Sequence, residues 1–124
     1  MIKVTELAFT CYPVIDMARA RAFYENIIGL VPTMVHESED NAWTEYEVGG
    51  GAFSIGKAPG WKPSADGAAI AFEMKDFDAA IATLRERGVV FKMEPFPTPV
   101  CRMAFVFDPE GNTVCIHKRH EGRE

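Results

Sequence analysis

The spacing of apolar and polar positions changes several times along the first half of the chain. Residues 4–11 alternate as a strand does, and the apolar positions of 17–28 recur every three or four residues, as on one helix face. Alternation then predicts strands over 33–37, 43–48 and 52–56. The first half therefore reads as one strand, one helix and three strands.

The second half repeats this order. Residues 68–74 predict a strand and 77–84 a helix, and three more strands follow over 89–93, 102–107 and 113–117. Each helix starts after an aspartate that can accept hydrogen bonds from free amides, and each ends at a glycine. These residues are Asp16 and Asp76 at the starts, and Gly29 and Gly88 at the ends.

The nearly equal spacing of these signals predicts two tandem βαβββ modules. We place module one at residues 1–57, a Pro- and Gly-rich linker at 58–66, and module two at 67–120, all within one α+β domain of 1–124. The alternative is a single irregular α+β domain whose order repeats by chance, which the spacing disfavours.

Composition excludes several classes of function. The 124 residues carry a net charge of −5, which argues against a nucleic-acid partner because phosphate binding requires clustered Lys and Arg. No apolar run approaches the ~20 residues that span a bilayer, and strand-like sequence begins without a signal-peptide core. Three widely spaced cysteines do not suggest disulfides. We therefore expect a cytoplasmic protein without a membrane or nucleic-acid partner.

Two segments resemble the vicinal oxygen chelate superfamily of glyoxalases, extradiol dioxygenases, and bleomycin- and fosfomycin-resistance proteins. Residues 16–30, DMARARAFYENIIGL, resemble its first helix, and residues 105–114, FVFDPEGNTV, resemble its terminal hairpin. The resemblance implies two curled mixed sheets around a cleft, with helices outside. It also implies a homodimer, because partner subunits in this superfamily usually complete the open sheet edges.

Strand alternation within that fold assigns each residue to a face. The helix-facing residues, which are large and apolar on three of the four strands, would be Ala8, Thr10, Phe53, Ile55, Ile70, Phe72, Met74, Val114 and Ile116. The opposite, mixed face would line the cleft and bind a ligand through Phe9, Trp43, Glu45, Ser54, Glu73, Cys115 and His117.

Metal-dependent members of the superfamily place one ligand on each of four strands. The resemblance puts these positions at Phe9, Ser54, Ala69 and Cys115. Phe9 and Ala69 carry no donor atom, a neutral serine is a poor ligand, and one thiolate does not make a site. We therefore predict no metal and no cofactor.

Several other side chains could take part in ligand binding or catalysis, and each also has a simpler structural explanation. Trp43 and Glu45 on one strand face suit a cationic or hydroxylated ligand, or form an ordinary exposed strand face. Cys115 and His117 share a face, but positions two apart on a strand are roughly 7 Å apart, which is long for a catalytic pair. Glu73 would have a raised pKa if desolvated, or would pair with Arg102.

These observations favour a metal-independent small-molecule-binding protein of the glyoxalase/bleomycin-resistance type, with no assignable catalytic residue. The alternative is an enzyme of the superfamily, a lyase, isomerase or dioxygenase, that uses a divalent metal or a cleft carboxylate or cysteine. Trp43 and Trp61 favour the binder.

Overall fold

The computed structural model describes residues 1–3 and 5–120; Val4 and residues 121–124 lie outside the described part. The chain divides into two compact units, Met1–Pro63 and Ser64–Glu124. The boundary falls inside the segment 58–66 that the sequence marks as a linker. The exact module bounds stay a prediction.

The first unit is a four-stranded mixed sheet with one short helix. Its elements are β1 (Thr10–Pro13), α1 (Met17–Ala22), a π-helical turn (Phe23–Ile27), β2 (Pro32–Glu37), β3 (Ala42–Val48) and β4 (Gly51–Lys57). The strand order is β1-β4-β3-β2, with β1 parallel to β4 and the other pairs antiparallel.

The second unit has the same topology. Its elements are β5 (Ile70–Glu73), α2 (Phe77–Glu86), β6 (Phe91–Pro97), β7 (Cys101–Phe107) and β8 (Thr113–Arg119). The order is β5-β8-β7-β6, and β5 is the strand that runs parallel to its neighbour. The predicted α+β class with two tandem βαβββ modules is confirmed.

The predicted helix caps are present in both units. A carboxylate oxygen of Asp16 accepts from the amide of Arg19, and one of Asp76 accepts from the amide of Ala79, each at 3.0 Å. Gly88 follows α2 with a φ of 72°, a left-handed conformation that favours glycine. Both helices therefore begin where the sequence predicts, because the same short carboxylate satisfies their free amides.

One face of each sheet packs against its helix. In the first unit, Tyr46 stacks on Phe53 with ring centroids 6.1 Å apart, and Tyr24 packs on Phe53 at 5.0 Å. In the second unit, the fully buried Val114 and Ile116 lie on the face that α2 covers. The predicted helix-facing positions on β4 and β8 are confirmed.

The predicted first strand is wrong in its extent. β1 covers only Thr10–Pro13, and residues 1–3 and 5–9 lie outside regular structure, with Leu7 86% exposed. The parallel ladder to β4 starts at Thr10, so earlier residues have no partner in the described sheet. Ala8 and Thr10 are exposed and therefore do not pack beneath the helix as expected.

None of the helices in the described part of the chain is long and apolar enough to cross a membrane.

Candidate functional site

The face of the first sheet that points away from α1 carries four of the predicted site residues. Strand register pairs Trp43 with Gly56 and Glu45 with Ser54, so these four positions share this free face. Phe9 precedes β1 and packs edge-on against Trp43, with ring centroids 5.3 Å apart at 89°. Alternation had placed Trp43 and Glu45 opposite Thr44 and Tyr46, and the structure confirms it.

Gly56 is the point where two indole rings meet the sheet. A Cβ atom built on Gly56 would lie 2.9 Å from the Trp61 ring and 3.0 Å from the Trp43 ring. Such distances are too short for any side chain, so both rings rest on the glycine backbone. We refer to Phe9, Trp43 and Trp61 as the aromatic cluster.

The aromatic cluster is open to solvent. Phe9 is 52% exposed and Trp61 is 45% exposed. Ser54, in contrast, is fully buried, and its hydroxyl donates to the carbonyl of Thr10 at 3.2 Å. Its hydroxyl is therefore engaged with the neighbouring strand rather than presented on the surface.

The free face of the second sheet holds a hydrogen-bonded pair. Glu73 Oε1 lies 2.6 Å from His117 Nδ1, and Glu73 Oε2 accepts from the backbone N–H of Arg119 at 2.8 Å. Partial burial raises the Glu73 pKa, but the bonds from Arg119 and His117 outweigh it, and the net pKa lies below the ordinary value. Glu73 is thus a carboxylate at neutral pH.

Two expectations for Glu73 are wrong. Its pKa is not raised, and its partner is not Arg102, which instead pairs with Asp78 at 3.2 Å and lies over the Phe77 ring. The reason is strand alternation: Glu73 and His117 are ladder partners on the free face, whereas Arg102 lies on the face covered by α2.

Cys115 lies beside this pair, but its thiol is unreactive. Its side chain is buried, and desolvation, with a smaller contribution from Cys101, raises its pKa to about 11. The thiol is therefore protonated at neutral pH and is a weak nucleophile. His117 Nδ1 is bound to Glu73, so no thiolate–imidazole pair forms through that nitrogen.

A third polar group lies on the helix side of the first sheet. The hydroxyl of Tyr46 donates to Glu25 Oε2 at 2.9 Å, and Arg21 donates to both oxygens of Glu25 at 2.6 and 3.2 Å. Burial, together with the nearby carboxylate, raises the Tyr46 pKa. This group ties α1 and the π-helical turn to β3, and it serves packing.

The family model described as Glyoxalase/Bleomycin resistance protein/Dioxygenase superfamily matches residues 6–116 of the sequence. The chain belongs to this superfamily. No curated protein matches the chain.

Solved structures of the same superfamily share the fold. TnmS3, an antibiotic-binding protein from Streptomyces sp. CB03234, is 24% identical with a TM-score of 0.72, covering 97% of this chain and 100% of its own. A glyoxalase/bleomycin resistance protein from the same organism is 27% identical with a TM-score of 0.71, covering 90% and 98%. A glyoxylase/bleomycin resistance protein/dioxygenase domain from Frankia sp. EAN1pec is 14% identical with a TM-score of 0.78, covering 98% and 96%.

The residues at the superfamily's metal positions do not fit a divalent ion. In the first unit Phe9 offers a ring, and the Ser54 hydroxyl is bound to Thr10. In the second unit Ala69 has no donor atom, and Cys115 is a single buried thiol. Among residues 1–3 and 5–120, three or more His, Cys, Asp or Glu side chains nowhere come together. Such a site needs three or four donors.

Sequence reasoning named Trp61 as favouring ligand binding but did not place it among the site residues. Trp61 lies in the segment between the modules, where alternation assigns no face, so its position could not be derived. Gly56 was the one sequence feature that could have indicated this contact, because a glycine inside a strand often marks a site where another group approaches the backbone closely. The prediction that all seven site residues line one cavity stays a prediction.

Proposed function

We propose that this protein binds a planar aromatic small molecule on the free face of its first sheet and needs no metal to do so. The observation that carries the proposal is the aromatic cluster: two indole rings lie against Gly56, the Phe9 ring packs on Trp43, and Phe9 and Trp61 are about half exposed. Exposed rings held against a rigid sheet lose little freedom on binding, so they can stack on a planar ligand at low entropic cost.

The negative charge of the protein favours a positively charged ligand. Glu45 shares the free face with Trp43, and the chain has a net charge of −5. A carboxylate beside an indole ring attracts a positively charged substituent through both ion pairing and the ring quadrupole. The antibiotic-binding activity named for TnmS3 supports small-molecule binding on this fold.

Tryptophan fluorescence tests the proposal directly, because Trp43 and Trp61 are the only tryptophans in the chain. Ethidium supplies a planar cation, naphthalene sulfonate a planar anion, and choline a cation without a ring. We expect ethidium to quench the emission with the highest affinity. Stacking and cation–π contacts contribute about 1–2 kcal/mol, so Trp43→Ala should weaken ethidium binding about tenfold, measured by ethidium's own fluorescence.

Val35→Ala is the matched control, because Val35 is an exposed residue of β2 that shares the helix side of the sheet with its ladder partner Thr44, and so lies on the face opposite Trp43. It should leave ethidium affinity unchanged. Equal affinity of Trp43→Ala and the unaltered protein would refute the proposed site. Binding of choline as tight as that of ethidium would refute the aromatic ligand class.

Metal independence has its own test. The protein is purified without a chelator or an affinity metal, its metal content is measured, and ethidium binding is repeated with added nickel, zinc, manganese or iron. We expect substoichiometric metal and unchanged affinity. Stoichiometric metal that is lost in Cys115→Ser or His117→Ala would overturn this part of the proposal and favour a superfamily lyase.

The remaining parts of the proposal are a cytoplasmic homodimer and a ligand site that also includes Glu73, Cys115 and His117. Light scattering at micromolar concentration tests the dimer, which a clean monomer would refute. A double-mutant cycle of Trp43→Ala and His117→Ala on ligand affinity tests the shared site. Strictly additive losses would indicate that the two residues do not contact one ligand.

A further inference from the structure

Each sheet has two edge strands, which have a hydrogen-bonded neighbour strand on one side within the described sheets. The edges are β1 and β2 in the first sheet and β5 and β6 in the second. An unprotected edge is a template for pairing with a strand of another chain, so proteins commonly keep an edge strand short or place charges and prolines on it. The four edges of this protein differ in these protections.

Three of the edges are protected. β1 and β5 are each four residues long, which leaves little backbone for a second chain to pair with. β6 has seven residues, but Pro95 and Pro97 have no N–H to donate, and Lys92 and Glu94 place charges on the strand. The ladder from β6 to β7 is also shifted at two places. These three strands therefore offer another chain no long and regular pairing edge.

β2 lacks these protections. It has six residues, its single proline is Pro32 at the first position, and residues 33–37 are all exposed. After one register shift beside Pro32, the ladder to β3 runs without interruption from Met34 to Glu37. Met34 and Val35 are 43% and 47% exposed, and Glu37 at the end is the only Asp, Glu, Lys or Arg of the strand. β2 is thus the regular and apolar edge among the described strands.

The charge pattern of β2 favours a second copy of this chain as its partner. Two copies of a chain with a net charge of −5 repel each other, so they approach best where the surface carries little charge. In an antiparallel pair of β2 strands, Glu37 of each copy lies near the first residues of the other strand. The two carboxylates are then at opposite ends, and the apolar Met34 and Val35 of both copies meet at the centre.

We propose that β2 pairs antiparallel with β2 of a second copy of this chain, so that four strands from each copy form one continuous sheet across a two-fold axis. Both copies use the same edge, and the assembly therefore closes at two subunits. The inference rests on the homodimer of the proposed function and specifies its interface. Val35 shares the helix side of the sheet with Thr44, so the interface can be altered there on the face opposite the aromatic cluster.

Opposite charges introduced at Val35 test the pairing. Val35→Lys and Val35→Glu each bring like charges together near the two-fold axis. Each variant alone should therefore have a dimer dissociation constant about tenfold higher than the unaltered protein, measured by sedimentation velocity. An equimolar mixture of the two variants should restore the affinity, because a lysine then lies close to a glutamate. The restored dimer also shows that both variants are folded.

The equivalent edge of the second sheet supplies the matched control. Met93 of β6 is 48% exposed, close to the value for Val35, so Met93→Lys and Met93→Glu should dimerise as the unaltered protein does. Hydrogen–deuterium exchange reports the backbone pairing itself. The amides of residues 33–37 should exchange more slowly above the dissociation constant than below it, whereas those of residues 91–97 should not change.

The outcomes separate this inference from the homodimer. A dimer of equal affinity in Val35→Lys and the unaltered protein, or a mixture of the two Val35 variants as weak as either alone, would overturn the β2 interface and leave the homodimer standing. Growth beyond two subunits would overturn the closed pair. A monomer at every concentration would refute the homodimer together with this inference, whereas ligand binding is tested separately with ethidium.

Discussion

Gly56→Ala tests whether the two indole rings pack on the sheet. The added Cβ would lie 2.9 Å from Cζ3 of Trp61, and 3.0 and 3.1 Å from two ring atoms of Trp43. These separations are well inside van der Waals contact, so the rings must move. Trp61 follows β4 in a segment outside the strands, and we expect it to be displaced first.

The cost of this overlap is that of overpacking, about 1–3 kcal/mol. The substitution also restricts the unfolded chain, which stabilises the native state by about 0.4–1 kcal/mol. Gly50→Ala isolates that second effect, because its Cβ would contact nothing within 4 Å and its φ lies outside the left-handed region. The difference in free energy of unfolding between the two variants therefore measures the contact with the indole rings.

Urea unfolding followed by circular dichroism gives both free energies, and tryptophan emission reports the displaced ring. We expect Gly56→Ala to be about 1–3 kcal/mol less stable than Gly50→Ala, with altered emission and about tenfold weaker binding of a stacking ligand. Equal stability of the two variants, with unchanged emission in both, would show that the rings do not rest on Gly56.

Two further substitutions and one labelling experiment test the chemistry assigned to single side chains. Burial raises the Glu25 pKa, but bonds from Arg21 and Tyr46 bring it below the ordinary 4.5. Glu25→Gln should therefore cost about 1.5 kcal/mol at neutral pH. That cost should vanish as pH falls through the lowered folded-state pKa, and a pH-independent loss in urea unfolding would contradict the charge. Cys115, with a pKa of about 11, should react with iodoacetamide in the folded protein far more slowly than a free thiol at neutral pH, and mass spectrometry would reveal a fast reaction that contradicts this. Asp108 is buried and accepts from two amides and from the Asn112 side chain, so Asp108→Ala should cost about 3 kcal/mol, and a loss below 1 kcal/mol in thermal unfolding would refute that role.

The sequence predicted the fold because one face of each sheet is under strong constraint. Phe53 and Ile55 on β4, and Val114 and Ile116 on β8, are all buried against the helix side. Packing against a helix demands large apolar residues at every second position, and this requirement produces a readable period. The caps at Asp16 and Asp76 were predictable for a similar reason, since few side chains satisfy free helix amides.

Features that depend on partners distant in sequence were not predictable. Residues 5–9 alternate like a strand but have no ladder partner in the described sheet, so β1 is short. The π-helical turn arises where the amide of Ile28 bonds to the carbonyl of Phe23, a detail that apolar periodicity does not encode. The position of Trp61 depends on the chain folding back onto Gly56, and no local pattern indicates this.

One ladder position explains why two units of the same topology present different chemistry on their free faces. On β4 the residue two places after the buried Ser54 is Gly56, and its partner on β1 is Pro13. The missing side chain leaves room for two indole rings, and the proline supplies no acid. On β8 the residue two places after the buried Cys115 is His117, and its partner on β5 is Glu73. There the imidazole occupies the space and bonds to the carboxylate beside it. Because this position faces away from the helix, packing against the helix does not restrict it, and the side chain it carries decides whether the free face presents aromatic rings or a hydrogen-bonded polar pair.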